Sequence, residues 1–231
     1  MITGELILGG TVSLVCGLDR TAALQIMISR PIVAAPLIGW LLGDVGVGLE
    51  IGLMVELLWL ARLPVGAAIP PDDTQVSVAA TVLAISLGHM LGYRGLEYQL
   101  LCLLIAIPLG KFGQFFDRLA RHYNGRKVAL TDKYLEQGRF RAMERTHRLG
   151  LISFALAALG TYLTILCGGF LLIPTLAPIL LAPLASTGEW LRLALPLVGI
   201  AVILGTINVN RALTLFGASF GMAFLLMWLV R

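Results

Sequence analysis

Apolar residues fall into nine stretches along this 231-residue chain, at roughly 2–18, 31–43, 47–61, 75–92, 96–116, 149–171, 172–185, 191–207 and 212–230. A helix needs about 20 mostly apolar residues to cross a hydrocarbon core of about 30 Å. At that length per span plus connections, the chain holds roughly six to eight membrane segments. Several stretches are too short to span. Segments 31–43 and 47–61 are separated only by Gly43-Asp44-Val45-Gly46, and 172–185 contains Pro174, Pro178 and Pro183. Short apolar segments interrupted by Gly or Pro predict re-entrant or broken helices. Such backbone is tolerated at membrane depth only where protein buries it or where it lines a cavity. Short segments occur both early (31–70) and late (172–185), which suggests two related halves. The pattern predicts an all-α, polytopic membrane protein with 1–231 as a single membrane domain.

One long polar stretch, 117–148, interrupts the pattern. It holds nine of the 17 Lys and Arg residues: Arg118, Arg121, Arg126, Lys127, Lys133, Arg139, Arg141, Arg145 and Arg148. Only Asp117, Asp132, Glu136 and Glu144 accompany them. Retained cytoplasmic loops are rich in Lys and Arg, so this segment is expected on the cytoplasmic side, and nucleic-acid binding is not needed to explain it. A docking surface for an acidic cytoplasmic partner is compatible with the same charge. Asn124-Gly125 is a turn signal. The run from Thr131 to Arg148 suits a helix, with acids early and bases late along its dipole. A basic cytoplasmic helical hairpin or arm within the membrane domain is expected.

Composition supports this reading. The chain is 58% hydrophobic and 13% charged, with mean hydropathy +0.90. Soluble domains average about 45–50% apolar and about 25% charged residues, so no sizeable soluble domain fits. Cys16, Cys102 and Cys167 lie in apolar runs without CxxC spacing or nearby histidine, which argues against a metal site or disulfide framework. The N-terminus lacks a basic region and a small-residue cleavage site, and reads as a retained first span. No nucleotide-binding loop, Ser-His-Asp arrangement or metal-ligand cluster is present in the sequence. No catalytic residue and no cofactor are therefore expected.

Glu56 is the main anomaly. A carboxylate placed centrally in a membrane helix costs roughly 2.5 kcal/mol or more. It needs either a polar cavity, where it would accept hydrogen bonds from sugar hydroxyls, or a structural partner such as Arg30, Arg62 or Arg211. Glu50 lies nearer the Gly46–Gly48 turn and suits the interface. The string from Pro64 to Thr74 reads as a break followed by a helix start, with Asp73 or Thr74 as the cap. Gly66, Ala67 and Ala68 would let a ligand approach the backbone; an ordinary surface loop is the alternative. Asn208, Asn210 and Arg211 fit either a polar site or an interfacial loop. Lys111 can snorkel to the headgroups, and His89 suits an interface.

From Arg30-Pro31-Ile-Val-Ala-Ala-Pro-Leu-Ile-Gly-Trp-Leu-Leu-Gly-Asp44 onward, the chain resembles the IIC subunit of the mannose/fructose/sorbose-type sugar phosphotransferase system. The resemblance continues through Gly48-Leu-Glu-Ile-Gly-Leu-Met-Val-Glu56 and Gly66-Ala-Ala-Ile-Pro-Pro-Asp72, then more weakly at Ala106–Gln114 and Ile207–Arg211. It implies that the chain works with a second membrane subunit, IID, to bind a sugar and move it inward. A cytoplasmic IIB subunit would donate phosphate from a phosphohistidine. It further implies a bacterial inner-membrane location and a homo-oligomer of IIC–IID units. Sugar-binding positions are expected at Glu56, Asp72, Gly66, Ala67 and Ala68, with Gln25 and Asn208 as further candidates. The chain departs from mannose-type members at Pro64, in its proline- and acid-rich string from Pro70 to Thr74, and in its basic polar segment.

The leading expectation is therefore a sugar-translocating subunit. One alternative is a non-transporting regulatory or structural membrane subunit of the same fold. Another is an ion-coupled carrier that uses Glu56 as a proton site.

Overall fold

A computed structural model of the chain describes residues 2–60, 69–206 and 212–229. Every element among them is helical. They are α1 (Ile2–Thr21), α2 (Pro31–Leu41), α3 (Val45–Leu58) and α4 (Asp73–Val82), which runs through a π-helical segment (Leu83–Leu87) into the short α5 (Gly88–Leu91). Then follow α6 (Leu96–Leu109), α7 (Phe112–Glu136), α8 (Phe140–Thr206) and α9 (Ala212–Leu229). Four stretches are long and apolar enough to cross a membrane: Ile2–Thr21, Asp73–Leu91, Leu96–Glu136 and Phe140–Gly205. The chain is an all-α membrane protein. Its helices carry exposed Leu156, Leu163, Leu171 and Ile179, which are outward-facing residues that lipid would cover.

The core forms around α4. Residues Thr74 to Leu83 are all buried, and α1, α2, α3, α6 and α8 pack around them. Small residues in α4, such as Ser77, Ala79, Ala80 and Thr81, let these helices close in from every side. The two hydroxyls turn back on their own helix: Ser77 donates to Thr74 O (2.8 Å) and Thr81 to Ser77 O (2.8 Å). Gln75 donates to Ser13 O at 3.1 Å and so ties α4 to α1.

Helices α2 and α3 form a hairpin. At 1.5 Å per residue, their 11 and 14 residues reach only about 16 and 21 Å, short of a bilayer core. This is the re-entrant pair expected from the short segments 31–43 and 47–61. Pro31 starts α2 at a position where a missing N–H costs nothing. The hairpin turns at Gly43 (φ +88), and Asp44 caps α3 by accepting from Val47 N at 3.1 Å. The two backbones touch: a Cβ on Gly48 would sit 2.4 Å from Ala35 O, and one on Gly52 would sit 2.6 Å from Pro31 O.

Two expectations are corrected. The segment 172–185 does not break; it lies within the 67-residue α8, with Pro174, Pro178, Pro183 and Pro196 inside the helix. In an apolar surround, leaving the helix would strand several backbone groups, whereas each proline removes one bond. The neighbouring hydroxyls turn back onto the helix, Thr175 donating to Leu172 O and Thr187 to Pro183 O, both at 2.8 Å. Nor does the chain turn at Asn124-Gly125. α7 continues through both residues, and Asn124 is held against α8 by Gly150 O (3.2 Å) and the Ser153 hydroxyl (2.8 Å). The turn comes at residues 137–139. There Gly138 (φ +66) donates to Leu135 O, and Arg139 N reaches back to Tyr134 O at 2.8 Å, a glycine-terminated helix end. The stretch 117–148 thus forms two antiparallel helical arms.

Candidate functional site

The C-terminal end of α1, the loop 22–30 and the start of α4 meet around a polar cavity of about 220 Å³. Asp19 organises the loop. It is 2% exposed, accepts from Ile26 N at 2.8 Å and Ser29 N at 3.0 Å, and so folds the chain back over the helix end. The turn is tight enough to drive Leu24, Gln25 and Met27 to positive φ (64°, 54° and 69°). Non-glycine residues rarely adopt such angles, and three together mark backbone held in place by its surroundings. The Thr74 hydroxyl donates to Ser29 O at 2.7 Å and fastens the loop to α4.

Two arginine–carboxylate assemblies meet at this cavity, which both Arg20 and Arg30 line. On the α2–α3 side, Arg30 is paired with Glu56, whose second oxygen accepts from Ile32 N at 3.4 Å. Glu56 is mostly covered, at 11% side-chain exposure against 31% for Arg30. On the α1–α4 side, Arg20 binds Asp72 at 2.6 Å and also pairs with Asp73. It donates further to Pro71 O (3.1 Å) and Thr74 Oγ1 (3.3 Å). Asp72, not Asp73 or Thr74, is the cap of α4: its Oδ1 accepts from Gln75 N at 3.1 Å. Gly113 on α7 permits this arrangement, since a Cβ there would lie 2.6 Å from Asp72 Cβ. Arg20 also lines a second, water-sized cavity of about 40 Å³ that reaches Asp117 and Arg121 on α7. Planar guanidinium groups suit this work because they bind two acceptors at once without losing their charge.

Among the residues singled out from sequence, Gln25 lines the cavity beside Asp19, Arg30 and Asp73. Glu56 and Asp72 stand one residue behind the wall, each reaching the cavity through its arginine. Of the three arginines considered as partners for Glu56, Arg30 is paired with it, while Arg62 and Arg211 lie outside the described residues. Glu50 pairs with Arg192 of α8 at 2.9 Å. Gly66, Ala67, Ala68 and Asn208 lie outside the described residues. Sequence reasoning missed Asp19 and Arg20. Their signal was an adjacent acid–base pair directly after the first apolar run, a position that interfacial charges occupy as a matter of course.

The chain aligns with sugar-system proteins over about half its length. It is 33% identical over 118 residues to the sorbose-specific EIIC component of Klebsiella pneumoniae, covering 51% of this chain and 41% of that one. It is 30% identical over 123 residues to the mannose-specific EIIC component of Escherichia coli K12 (53% and 43%) and 30% over 127 residues to the fructose permease IIC component of Bacillus subtilis (55% and 44%). In each case the aligned part spans less than half of the relative. Two solved structures share the fold. One, described as a structure of a membrane protein, has a TM-score of 0.66 at 21% identity, with coverage of 98% of this chain and 96% of that one. The other, a cryo-EM structure of the mannose transporter ManYZ with microcin E492, has a TM-score of 0.60 at 22% identity, with coverage of 96% and 86%. A family model described as the sorbose-specific IIC component of the phosphotransferase system matches residues 3–230. A match over nearly the entire chain places it in that family: this protein is a IIC-type membrane permease component of the sorbose class of sugar phosphotransferase systems.

Proposed function

We propose that the chain is the membrane-embedded subunit that binds a sugar and carries it across the bacterial inner membrane. It would act with a IID membrane subunit, in a homo-oligomer of IIC–IID units, and deliver the sugar to a cytoplasmic IIB that phosphorylates it from a phosphohistidine. The observation that carries the reading is the cavity of about 220 Å³ on which both arginine–carboxylate assemblies converge. A neutral sugar brings many hydroxyls, each able to donate and accept. Arg20 and Arg30 offer charged donors at the wall, Asp73 a charged acceptor and Gln25 both, and Glu56 and Asp72 would become acceptors as their arginines turn toward the sugar. Hydrogen bonds to ionised groups are roughly twice as strong as neutral ones, so a few can replace a sugar's hydration shell. By family resemblance Gly66, Ala67 and Ala68 complete the proposed site, and Asn208 is a further candidate on the same ground.

The short α2–α3 hairpin carries Arg30 and Glu56 on an element separate from α4, which carries Asp72. Movement of one against the other would open the cavity alternately to the two sides. The basic helical arms of α7 and α8 then face the cytoplasm, where IIB would dock.

Glu56→Gln tests the assignment. The variant should insert and fold, because the amide still accepts from Ile32 N, yet sugar uptake by the IIC–IID complex should fall at least a hundredfold. Near-normal uptake would remove Glu56 as principal sugar ligand. A purified complex that binds no hexose or amino sugar would instead favour a non-transporting subunit.

A further inference from the structure

A second polar cavity, of about 200 Å³, lies at the opposite end of the bundle. On the α4–α5 stretch its lining residues Ala84, Ile85 and His89 lie 12 to 17 residues beyond Asp72, about 18–26 Å along the helix. Its walls come from the α2–α3 turn (Asp44, Val47), the end of the π-helical segment and α5 (His89), and the start of α6 (Arg94, Tyr98, Gln99). Three of these side chains are at its mouth: Asp44, His89 and Arg94 are exposed. None makes an ion pair among the described residues, although Arg94 and Asp44 carry opposite charges.

Gln99 is the decisive residue. It is 8% exposed, and its side-chain oxygen is buried without a hydrogen-bond donor. An unpaired buried acceptor is costly enough that native proteins rarely keep one without a reason. This acceptor belongs to a residue that lines the cavity, and the free oxygen of Asp44 is a second acceptor there, since the other already serves Val47 N. The occupant must therefore bring at least two donors. It should also accept, because Arg94 and His89 supply donors. A hydrogen phosphate dianion brings one donor and a carboxylate none, too few for Gln99 and Asp44 together. A neutral polyhydroxylated ring brings both kinds of group.

We infer that this cavity is an outer sugar-binding site, filled before the sugar reaches the site beside Glu56. The orientation rests on the transport reading, in which the basic α7–α8 arms face inward. The two cavities lie along one continuous helical stretch, Asp73 and Thr74 lining the first and Ala84, Ile85 and His89 the second.

The test uses the full chain with its IID partner in right-side-out spheroplasts, with exposed Cys167 replaced by Ala and Val47→Cys as reporter. A membrane-impermeant maleimide is applied outside, with D-mannose, D-fructose or L-sorbose as the probe. At least one sugar should slow labelling threefold or more, and Gln99→Leu should remove that protection. Arg94→Ala, at an exposed side chain with no ion pair among the described residues, should weaken it. In uptake, Gln99→Leu should raise KM severalfold at unchanged maximal rate. If no sugar protects Val47→Cys, if protection survives both substitutions, or if labelling occurs only in inside-out vesicles, the cavity holds water only and the inference is overturned. Protection from outside in a complex that takes up no sugar would preserve this site and overturn the transport reading alone.

Discussion

Replacing Arg20 with Met removes the cation shared by Asp72 and Asp73 while keeping much of the side-chain volume. In the parent protein the Arg20 side chain is 14% exposed and each aspartate 16%, so water can do little to replace the lost partner. The substitution deletes the 2.6 Å bond to Asp72, the pairing with Asp73 and the bonds to Pro71 O and Thr74 Oγ1. Breaking a buried pair by removing one member costs about 3–5 kcal/mol, since the other is left charged and uncompensated. For a chain of this size, 1 kcal/mol corresponds to about 2–4 °C, so the melting temperature should fall by roughly 6–20 °C. Cys16 and Cys102 are both fully buried, so a thiol-reactive dye in detergent reports the transition. Asp72→Asn in the Arg20→Met background should recover part of the loss, because it neutralises one stranded carboxylate. A melting temperature within about 2 °C of the parent would refute the reasoning. So would a double variant no more stable than Arg20→Met, because the two residues would then not be coupled.

Other perturbations have clear expected outcomes. Asp19→Leu strands the Ile26 and Ser29 amides, which should cost about 2–4 kcal/mol and weaken sugar binding together with stability; thermal unfolding and an equilibrium binding titration read the two effects. Gly48→Val forces a side chain against Ala35 O and should destabilise the α2–α3 hairpin by about 1–3 kcal/mol or more, seen as a lower melting temperature and a smaller yield of folded complex. Gly138→Ala places a Cβ in the left-handed region between the α7 and α8 arms and should cost about 1 kcal/mol, with little change in sugar uptake. Arg20→Lys keeps the charge but loses the planar fork, so its stability should fall between that of the parent and that of Arg20→Met.

Several features could be read from residue order alone. The length and spacing of the apolar runs identified a helical membrane protein, because lipid leaves backbone groups no partners except those a helix provides. Residues 31–61 declared a hairpin too short to span, because glycine and aspartate at 43–44 leave few other ways to turn. The excess of Arg and Lys over 117–148 marked the polar helical arms of α7 and α8. The Glu56 carboxylate stood out as a charge that needs a partner, and family motifs pointed to its neighbours.

Tertiary structure decided which partner each charge takes. Arg30 and Glu56 are 26 residues apart, and Arg20 and Asp72 are 52 apart. Neither pairing has a local signature, since any of several arginines could reach a given acid until the helices pack. The Asp19 loop, with its three left-handed residues, exists only because the ends of α1, α2 and α4 are brought together. The same holds for α8: proline spacing argues for a break, whereas the apolar surround makes continuity the cheaper state. Glu56 shows the division most clearly. Sequence marked it as a costly charge in an apolar run, but only the folded chain set it behind Arg30, which lines a polar cavity, because that meeting depends on how far the α2–α3 hairpin reaches before it turns back.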